Sequence, residues 1–256
     1  IVVFDNPRRK VFEFGLRAPG ELVKPLAIAV DDLRQVYVAD ASRRQVVVYD
    51  DLGLYRRAIG SAEHLEHPVG VAASRDGSRI YVVDRGSNES ANHRVQVYDA
   101  EGRHLMQIGT RGSADGQFNV PVQAAVGPEG RLYVLDAGNF RVQIFSADGT
   151  FIRRFAQAGN GLGQFSRPRG LAVDSDGTCY VSDAGFANIQ VFDPLGRLLL
   201  PLGQRDLAGG PGRFVLPGGV AVDETGRVFI VDQYLRKVEV LKRLSDAEGA
   251  SPARGE

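Results

Sequence analysis

Cysteine and tryptophan are nearly missing from this chain, since Cys179 is the single cysteine among 256 residues and there is no tryptophan. One cysteine excludes an internal disulfide and a metal cluster held by several thiolates. Because Cys179 lies in the strand-like run Thr178-Cys179-Tyr180-Val181, we interpret it as a small buried apolar side chain. Charge of one sign is not in excess either, because 31 lysines and arginines balance 31 aspartates and glutamates. No overall field therefore draws nucleic acid or an anionic membrane to the protein.

Long apolar runs and helical periodicity are absent as well. No segment is long and apolar enough to cross a bilayer, and no secretory signal stands at the start of the sequence. Because the sequence begins at Ile1 and not at methionine, we expect a segment upstream, so the missing signal does not argue against export. Apolar residues nowhere recur over a long stretch with the period of a helix. These absences favour an all-β protein.

One pattern recurs in five copies. Each copy has a proline, an inner apolar strand, a turn, a second strand that ends in aspartate, a loop, a third strand, a glycine turn and a fourth strand. The copies begin at Pro25, Pro68, Pro121, Pro168 and Pro217, which are 43 to 53 residues apart. Four strands every forty-odd residues, separated by turns, are typical of the blades of a β-propeller.

Each part of the repeat has a physical reason. The inner strands are rich in alanine and glycine, which suits the crowding of blades near the propeller axis. The second strands, such as Leu132-Tyr-Val-Leu-Asp136, are β-branched and aromatic, as expected for a strand buried on both faces. A large apolar residue stands three positions before each repeat proline, and we interpret it as a plug between adjacent blades. The predicted plugs are Leu22, Leu65, Phe118, Phe165 and Phe214.

The pattern P-x-G-[IV]-A-[VI]-D, followed by [IV]-Y-V-x-D and R-[IV]-Q-[VI]-F, resembles the NHL repeat family. The resemblance covers about residues 1–242 and implies a six-bladed β-propeller of four-stranded antiparallel blades. It does not select an activity, because one fold hosts many functions.

The number of blades stays open between six and five. Residues 1–4 and 10–15 match the last two strands of an earlier blade, so the first blade is expected to be incomplete in this chain and six blades are favoured. In the alternative, residues 10–15 complete the final blade and five blades close the ring. Residues 1–242 are thus the predicted propeller domain, with 1–15 as the tail of an earlier blade. Residues 243–256 are poor in apolar side chains and are predicted to be a flexible C-terminal tail.

The sequence offers little support for catalysis. The resemblance extends to an amidating lyase of this fold, which holds zinc on histidines directly after the repeat prolines. His64 and His67 form an H-x-x-H pair, but a metal site usually needs three or four donors. A nucleophile elbow and a phosphate loop are also missing. We therefore predict no catalytic residue, no metal and no cofactor. At the positions where the amidating lyase has its zinc-binding histidines, directly after the repeat prolines, this chain has Leu26, Val69, Val122, Arg169 and Gly218.

An aspartate closes each second strand, a pattern that could suggest a ring of catalytic or calcium-binding carboxylates. We favour a structural role, because a short carboxylate just after a strand accepts hydrogen bonds from the amides of the next turn. A single active site would not need five copies of one residue. The predicted structural ring consists of Asp40, Asp84, Asp136, Asp183 and Asp232.

A binding surface is expected where the loops after the second strands meet the loops between blades. Arginines and aromatic residues, which are frequent in protein interfaces, alternate there. We expect Phe140, Phe186 and Tyr234 to be exposed to solvent, and Arg169 to project near the mouth of the channel. The predicted binding face consists of Arg43, Arg44, Arg85, Phe140, Arg169, Phe186, Tyr234 and Arg236.

These observations predict a non-catalytic protein-interaction scaffold outside the cytoplasm, either periplasmic or secreted. The resemblance to bacterial NHL-like propellers implies a subunit of a larger assembly, with a multihaem cytochrome as a partner. The alternative is RNA binding, as in the tripartite-motif NHL proteins, because exposed rings and arginines suit single-stranded nucleic acid. Balanced charge argues against nucleic acid as the partner. A lyase or lactonase on the same fold is disfavoured by the missing histidines.

Overall fold

Each copy of the repeat folds into one antiparallel sheet that starts at its proline. The computed structural model describes residues 1–5, 9–87 and 89–242, which form β-strands joined by turns and loops. Four copies form four-stranded sheets and the fifth forms a three-stranded sheet, and neighbouring strands follow the order of the chain. The repeat proline is the first residue of the first strand in all five copies.

The strands are numbered in chain order. They are β1 (Val2–Asp5), β2 (Lys10–Glu13), β3 (Pro25–Val30), β4 (Val36–Asp40), β5 (Gln45–Tyr49), β6 (Tyr55–Ile59), β7 (Pro68–Ala73), β8 (Arg79–Asp84), β9 (Arg94–Asp99), β10 (His104–Ile108), β11 (Pro121–Val126), β12 (Leu132–Asp136), β13 (Arg141–Phe145), β14 (Phe151–Phe155), β15 (Pro168–Val173), β16 (Cys179–Asp183), β17 (Asn188–Phe192), β18 (Leu198–Leu202), β19 (Gln204–Arg205), β20 (Arg213–Phe214), β21 (Pro217–Val222), β22 (Arg227–Asp232) and β23 (Lys237–Lys242).

The sheets are the blades of a propeller. Blade 1 comprises β3–β6, blade 2 β7–β10, blade 3 β11–β14, blade 4 β15–β18 and blade 5 β21–β23, while β1 and β2 form an N-terminal hairpin. The helices of the described residues are two three-residue 3-10 turns, Pro128–Gly130 and Ala137–Asn139. None of the helices in this part of the chain could cross a membrane. The all-β propeller with four-stranded antiparallel blades is confirmed.

The first strands crowd together around the axis. A β-bulge follows the repeat proline in every blade, in keeping with a residue that has no N–H to donate to the ladder. Gly170 shows how closely the first strands approach one another, because a Cβ atom there would lie 2.3 Å from the carbonyl oxygen of Gly218 in the next blade. The interpretation of the small inner residues is thereby confirmed.

The core lies between the blades, in layers of apolar side chains from two adjacent sheets. All residues of β4, β12 and β16 are buried, because both faces of these second strands pack on neighbours. The plugs Leu65, Phe118, Phe165 and Phe214 are fully buried. Phe118, for example, lies in one cluster with residues of blades 2 and 3. The plug interpretation is confirmed for these four residues, and Leu22 is half-buried beside the hairpin.

The described residues form five blades and the hairpin, so the number of blades matches the alternative and not the favoured six. The manner of closure expected for five blades is wrong, because β2 pairs with β1 and not with blade 5. The hairpin takes this place because Val3 and Phe12 pack against the apolar residues Val38 and Val47 of blade 1. The predicted tail at residues 243–256 lies outside the described residues.

Candidate interaction face

The loop face consists of the loops between second and third strands together with the loops that connect blades. In blade 4 the carboxylate of Asp183 accepts hydrogen bonds from the backbone N–H groups of Ser166 and Arg167 before the first strand, at 2.8 and 3.0 Å. It also accepts from the N–H groups of Gly185 and Phe186 after the second strand, at 2.8 and 3.2 Å. Asp183 is fully buried. One carboxylate therefore joins two loops and holds the shape of this face.

The ring aspartates of blades 1 and 5 bind backbone N–H groups of both loops in the same way, whereas those of blades 2 and 3 bind backbone N–H only before the first strand and side chains elsewhere. In blade 5, burial alone would raise the pKa of Asp232, but four backbone N–H donors outweigh it and hold the pKa below its usual value. Asp40 in blade 1 also accepts from four backbone N–H groups. In blades 2 and 3 an arginine from the third strand adds an ion pair. These pairs are Arg94 with Asp84 and Arg141 with Asp136.

Asp136 has the most polar surroundings of the ring. It accepts hydrogen bonds from the backbone N–H of Asn119 at 2.7 Å, from Nδ2 of Asn139 at 2.8 Å and from Nε of Arg141 at 2.9 Å. The guanidinium of Arg141 is buried too, and its other nitrogens donate to three backbone carbonyls of the preceding inter-blade loop. Burial is the largest influence on the pKa of Asp136 and raises it, although these donors counteract the rise.

The three aromatic residues of the predicted face are not equally accessible. Tyr234 is 61% exposed as expected, whereas Phe186 is half-buried, so its expected exposure to solvent is wrong. Phe140 is half-buried and packs on the apolar cluster between blades 3 and 4, so the expectation that it stands free in solvent is wrong. A phenyl ring beside an apolar layer gains from leaving water, and this outweighs its position in a loop.

The residue before the third strand has a left-handed backbone in four blades. This position is held by Arg44, Phe140, Ala187 and Arg236, with φ between 53° and 56°. The sequence carries no signal for this feature, because none of these residues is glycine, the residue that adopts a left-handed backbone most readily. The position carries three residues of the predicted face, and both of its arginines are exposed. Arg43, in contrast, donates to the carbonyl oxygen of Glu21 at 2.7 Å and so holds the loop.

Positive charge is concentrated next to the repeat prolines and ring aspartates, in four residues that we call the basic rim: Lys24, Arg85, Arg167 and Arg169. Burial lowers the pKa of His67, and the nearby charges of Arg85 and Lys24 lower it further. Burial likewise lowers the pKa of Arg169, with a contribution from Arg167. The ring carboxylates are buried, and Glu66 accepts hydrogen bonds within its own loops. The basic rim therefore presents positive charge although the net charge of the chain is zero.

The opposite end of the propeller, the turn face, carries a second set of aspartates that sequence analysis missed. Asp193 accepts from the N–H groups of Leu195 and Arg197 at 2.9 and 2.8 Å, and pairs with Nε of Arg197 at 2.6 Å. Burial alone would raise the pKa of Asp193, but these donors lower it. Asp50 and Asp99 make the same backbone contacts. The D-x-x-G spacing of these turns was the available signal.

The remaining nucleophilic and metal-binding side chains do not converge. His64 stacks on His104 with ring centroids 4.8 Å apart, while His93 is buried and its Nδ1 accepts from the N–H of Val120. Cys179 is fully buried, and burial raises the pKa of its thiol. Across residues 1–5, 9–87 and 89–242 no three histidine, cysteine, aspartate or glutamate side chains are arranged to hold a metal ion.

Blade 3 identifies the repeat. Residues 118–145 match the model of the NHL repeat, and they run from the plug Phe118 to the end of the third strand. The chain is a β-propeller built on NHL repeats. This propeller is 27% identical over 104 residues to Protein brain tumor of Drosophila melanogaster. That match covers 39% of this chain and 10% of the relative, so the chain spans about a tenth of the length of that protein.

Solved structures share the fold of this NHL propeller at low identity. A chain of Kuenenia stuttgartiensis Hydrazine Synthase has a TM-score of 0.58 and 16% identity, covering 88% of this chain and 80% of its own. A Streptogramin B lyase has a TM-score of 0.62 and 13% identity, covering 94% and 76%. A chain of the Nidogen/Laminin Complex has a TM-score of 0.60 and 22% identity, covering 86% and 80%. At these identities the likeness shows the fold alone, and the fold includes enzymes.

Proposed function

We propose that this NHL propeller is a non-catalytic scaffold whose loop face binds an acidic protein partner. The observation that carries the proposal is the basic rim on the same face as the exposed ring of Tyr234. Arginine and tyrosine supply a large share of binding energy in protein interfaces. A positive surface also steers an acidic partner toward the face and rejects a basic one.

The hydrogen bonding of the ring aspartates supports a scaffold and not an enzyme. Because lyases share this fold, the activity has to be judged from the residues present. An ionised carboxylate offers about four lone-pair sites. In Asp183 and Asp40 four backbone N–H groups bind the carboxylate, and both side chains are fully buried, so neither carboxylate is presented to a substrate.

We further propose that the scaffold works outside the cytoplasm, periplasmic or secreted, as a subunit of a larger assembly with a multihaem cytochrome as its partner. Support comes from the shared fold with a chain of hydrazine synthase and with a chain of the Nidogen/Laminin Complex. The decisive test of location is fractionation of cells that produce the natural protein.

Charge reversal on the loop face tests the proposed interface. We expect the double variant Arg167→Glu, Arg169→Glu to bind a captured partner at least about tenfold more weakly than the wild type. The backbone N–H of Arg167 still bonds to Asp183 in this variant, so the fold is retained. The matched control is Arg34→Glu, Arg75→Glu, which reverses two exposed arginines of the turn face. Equal affinity of the loop-face variant and the wild type would place the interface elsewhere.

RNA binding is the second candidate, and the basic rim is the observation that favours it. The two candidates differ in their response to salt, because each phosphate neutralised by a protein cation releases a counterion. Titration of a single-stranded RNA at two salt concentrations separates them. Affinity for RNA that falls steeply with salt and is lost in Arg167→Glu, Arg169→Glu would favour RNA. No measurable RNA affinity at low salt would exclude it.

A further inference from the structure

A cleft of about 290 Å³ lies on the loop face, at the end of the outer strands of blade 3. Its walls come from the loop between blades 2 and 3, the loop after β12, the start of β13 and the end of β14. Five of its six side chains are polar, and two of these are guanidinium groups. The cleft therefore suits a small ligand that accepts hydrogen bonds and carries negative charge. The residues that line it are Ser113, Asn139, Arg141, Arg154, Ala156 and Gln157.

The buried guanidinium of Arg141 has one donor left over. It carries five N–H groups. Nε donates to Asp136, and Nη1 donates to the carbonyl oxygen of Ser113. Nη2 donates to the carbonyl oxygens of Ala114 and Gln117. One N–H of Nη1 therefore has no acceptor among the described residues, and a ligand in the cleft that Arg141 lines can supply one.

Blade 2 shows how the same arginine position is completed within the chain. Arg94 starts the third strand of blade 2, and its Nη1 donates to Oε1 of Gln107 on the fourth strand at 3.0 Å. The strand registers place Arg154 of blade 3 at the position of Gln107. An arginine has donors only, so it cannot accept this hydrogen bond. Blade 3 therefore brings two guanidinium groups to one cleft where blade 2 has a donor and an acceptor, and blades 1 and 4 have arginine at neither position.

Arg154 is bound from one side. Its Nε lies 3.2 Å from a carboxylate oxygen of Asp115, and the two side chains are 50% and 52% exposed. Within residues 1–5, 9–87 and 89–242, neither Nη nitrogen of Arg154 makes a hydrogen bond, and neither does the side-chain amide of Gln157. An ion pair this exposed contributes little to stability. Asp115 therefore shows that Arg154 binds a carboxylate, and another carboxylate can take its place at low cost.

We propose that this cleft is a subsite of the loop face that holds one carboxylate side chain, a glutamate or an aspartate, of a protein partner. The carboxylate accepts hydrogen bonds from Nη1 of Arg141 and from the Nη nitrogens of Arg154, and it displaces Asp115. Paired N–H groups of a guanidinium match the two oxygens of a carboxylate. The volume is at the lower end of that of small-molecule sites, about 300–1,000 Å³, as expected for a single side chain. The inference rests on the proposed function for the source of the carboxylate, which is the acidic partner.

A capped glutamate, N-acetylglutamate methylamide, tests the subsite by NMR titration of the chain, with capped glutamine as the neutral control. We expect the glutamate probe to bind at millimolar concentration and to shift the backbone amide signals of residues 112–114 and 156–157. Arg154→Gln reproduces the arrangement of blade 2 and should weaken binding at least about fivefold, with an unchanged melting temperature. The matched control is Arg56→Gln, an exposed fourth-strand arginine of blade 1 that also pairs with one aspartate.

Asp115 provides a variant with the opposite expectation. Asp115→Asn removes the competing carboxylate and should strengthen binding of the glutamate probe about two- to fivefold, in keeping with the small contribution of an exposed ion pair. Glu63→Gln is its matched control, because it removes an exposed carboxylate from the loop between blades 1 and 2. Equal effects of these two variants would mean that the probe senses only the overall charge of the face, which would overturn the proposal.

The proposal is also overturned if the glutamate probe fails to bind, if the glutamine probe binds equally well, or if a captured partner binds Arg154→Gln as tightly as Arg56→Gln. Inorganic phosphate that shifts the same signals at lower concentration than the glutamate probe would assign the cleft to phosphate and overturn it too.

The rim variant Arg167→Glu, Arg169→Glu separates this proposal from the function on which it rests, because it should bind the glutamate probe as the wild type does. A probe that fails to bind, together with a partner that depends on the rim, would remove the subsite and keep the proposed function. A probe that binds in the cleft, together with a partner indifferent to the rim, would remove the proposed function and keep the carboxylate site.

Discussion

At the scale of single residues, Asp136 and Asp183 occupy the same position of the repeat but have hydrogen-bond partners of different charge. Both carboxylates are fully buried and both join an inter-blade loop to the loop after the second strand. Asp183 receives backbone N–H groups, whereas Asp136 also faces the buried guanidinium of Arg141. Removing Asp136 therefore leaves an unpaired charge as well as unpaired amides.

We expect Asp136→Ala to cost about 3–5 kcal/mol of unfolding free energy, because it strands a buried arginine. Asp183→Ala should cost about 1–3 kcal/mol, because it strands neutral N–H groups only. Urea unfolding of the two variants and the wild type measures the difference. Equal costs would show that Arg141 finds other partners, and a wild-type stability of Asp183→Ala would remove the structural role of the ring.

At the scale of elements, the plugs join neighbouring sheets. Phe165 is fully buried, and its ring lies 5.8 Å from the ring of Phe192 in an edge-on contact. Leu22 occupies the same repeat position but is half-buried, because it packs beside the hairpin and not between two complete blades. The stabilisation that a plug contributes therefore depends on which strands pack on either side of it.

Phe165→Ala should destabilise the propeller by about 3–5 kcal/mol, since it opens a cavity between blades 3 and 4. Leu22→Ala should cost less, because water can reach the space that it leaves. Thermal unfolding followed by circular dichroism provides the comparison. A larger cost for Leu22→Ala would mean that the hairpin is anchored more tightly than its burial indicates.

The aspartates in the turns of the turn face make the stability of the fold depend on pH. Burial alone would raise the pKa of Asp223, but the hydroxyl and N–H of Thr225 and two groups of Arg227 hold it at about 2, below the usual 3.8. The unfolded chain therefore takes up this proton at higher pH than the folded chain does. The stabilisation is complete above about pH 4 and is lost as pH falls toward 2.

We expect Asp223→Asn to lower the melting temperature at pH 5 and to reduce the further loss on acidification. Melting curves of the variant and the wild type between pH 5 and pH 2.5 measure this, and other turn carboxylates cancel in the difference. An unchanged difference across this range would show that the hydrogen bonds of Asp223 do not survive in solution.

At the scale of the whole molecule, a net charge of zero conceals an uneven surface. The basic rim lies on the loop face, whereas the turn face carries exposed carboxylates. These are Asp32, Asp51, Asp76, Glu101, Glu129, Asp148, Asp176 and Glu224. The separation is partial, because the inter-blade loops carry the exposed carboxylates Glu21, Glu63 and Asp115, and the turn face carries the exposed arginines Arg34 and Arg75. The exposure of Ile28 at a repeat position that is buried in blade 2 is likewise a property of the assembled row of blades and of no single repeat.

The sequence alone determined the parts of the molecule that depend on neighbours in the chain. The repeat prolines start the first strands, and in four blades the pairing of the ring aspartate with the start of the third strand follows from a loop of four residues, whereas blade 2 keeps this pairing across a longer loop. Only the tertiary structure decided which of these equivalent positions are buried. Ile28 and Val71 occupy the same place in the repeat, yet only Val71 is covered. The reason is physical: local spacing sets strands and turns, whereas burial requires a second sheet brought up by distant parts of the chain.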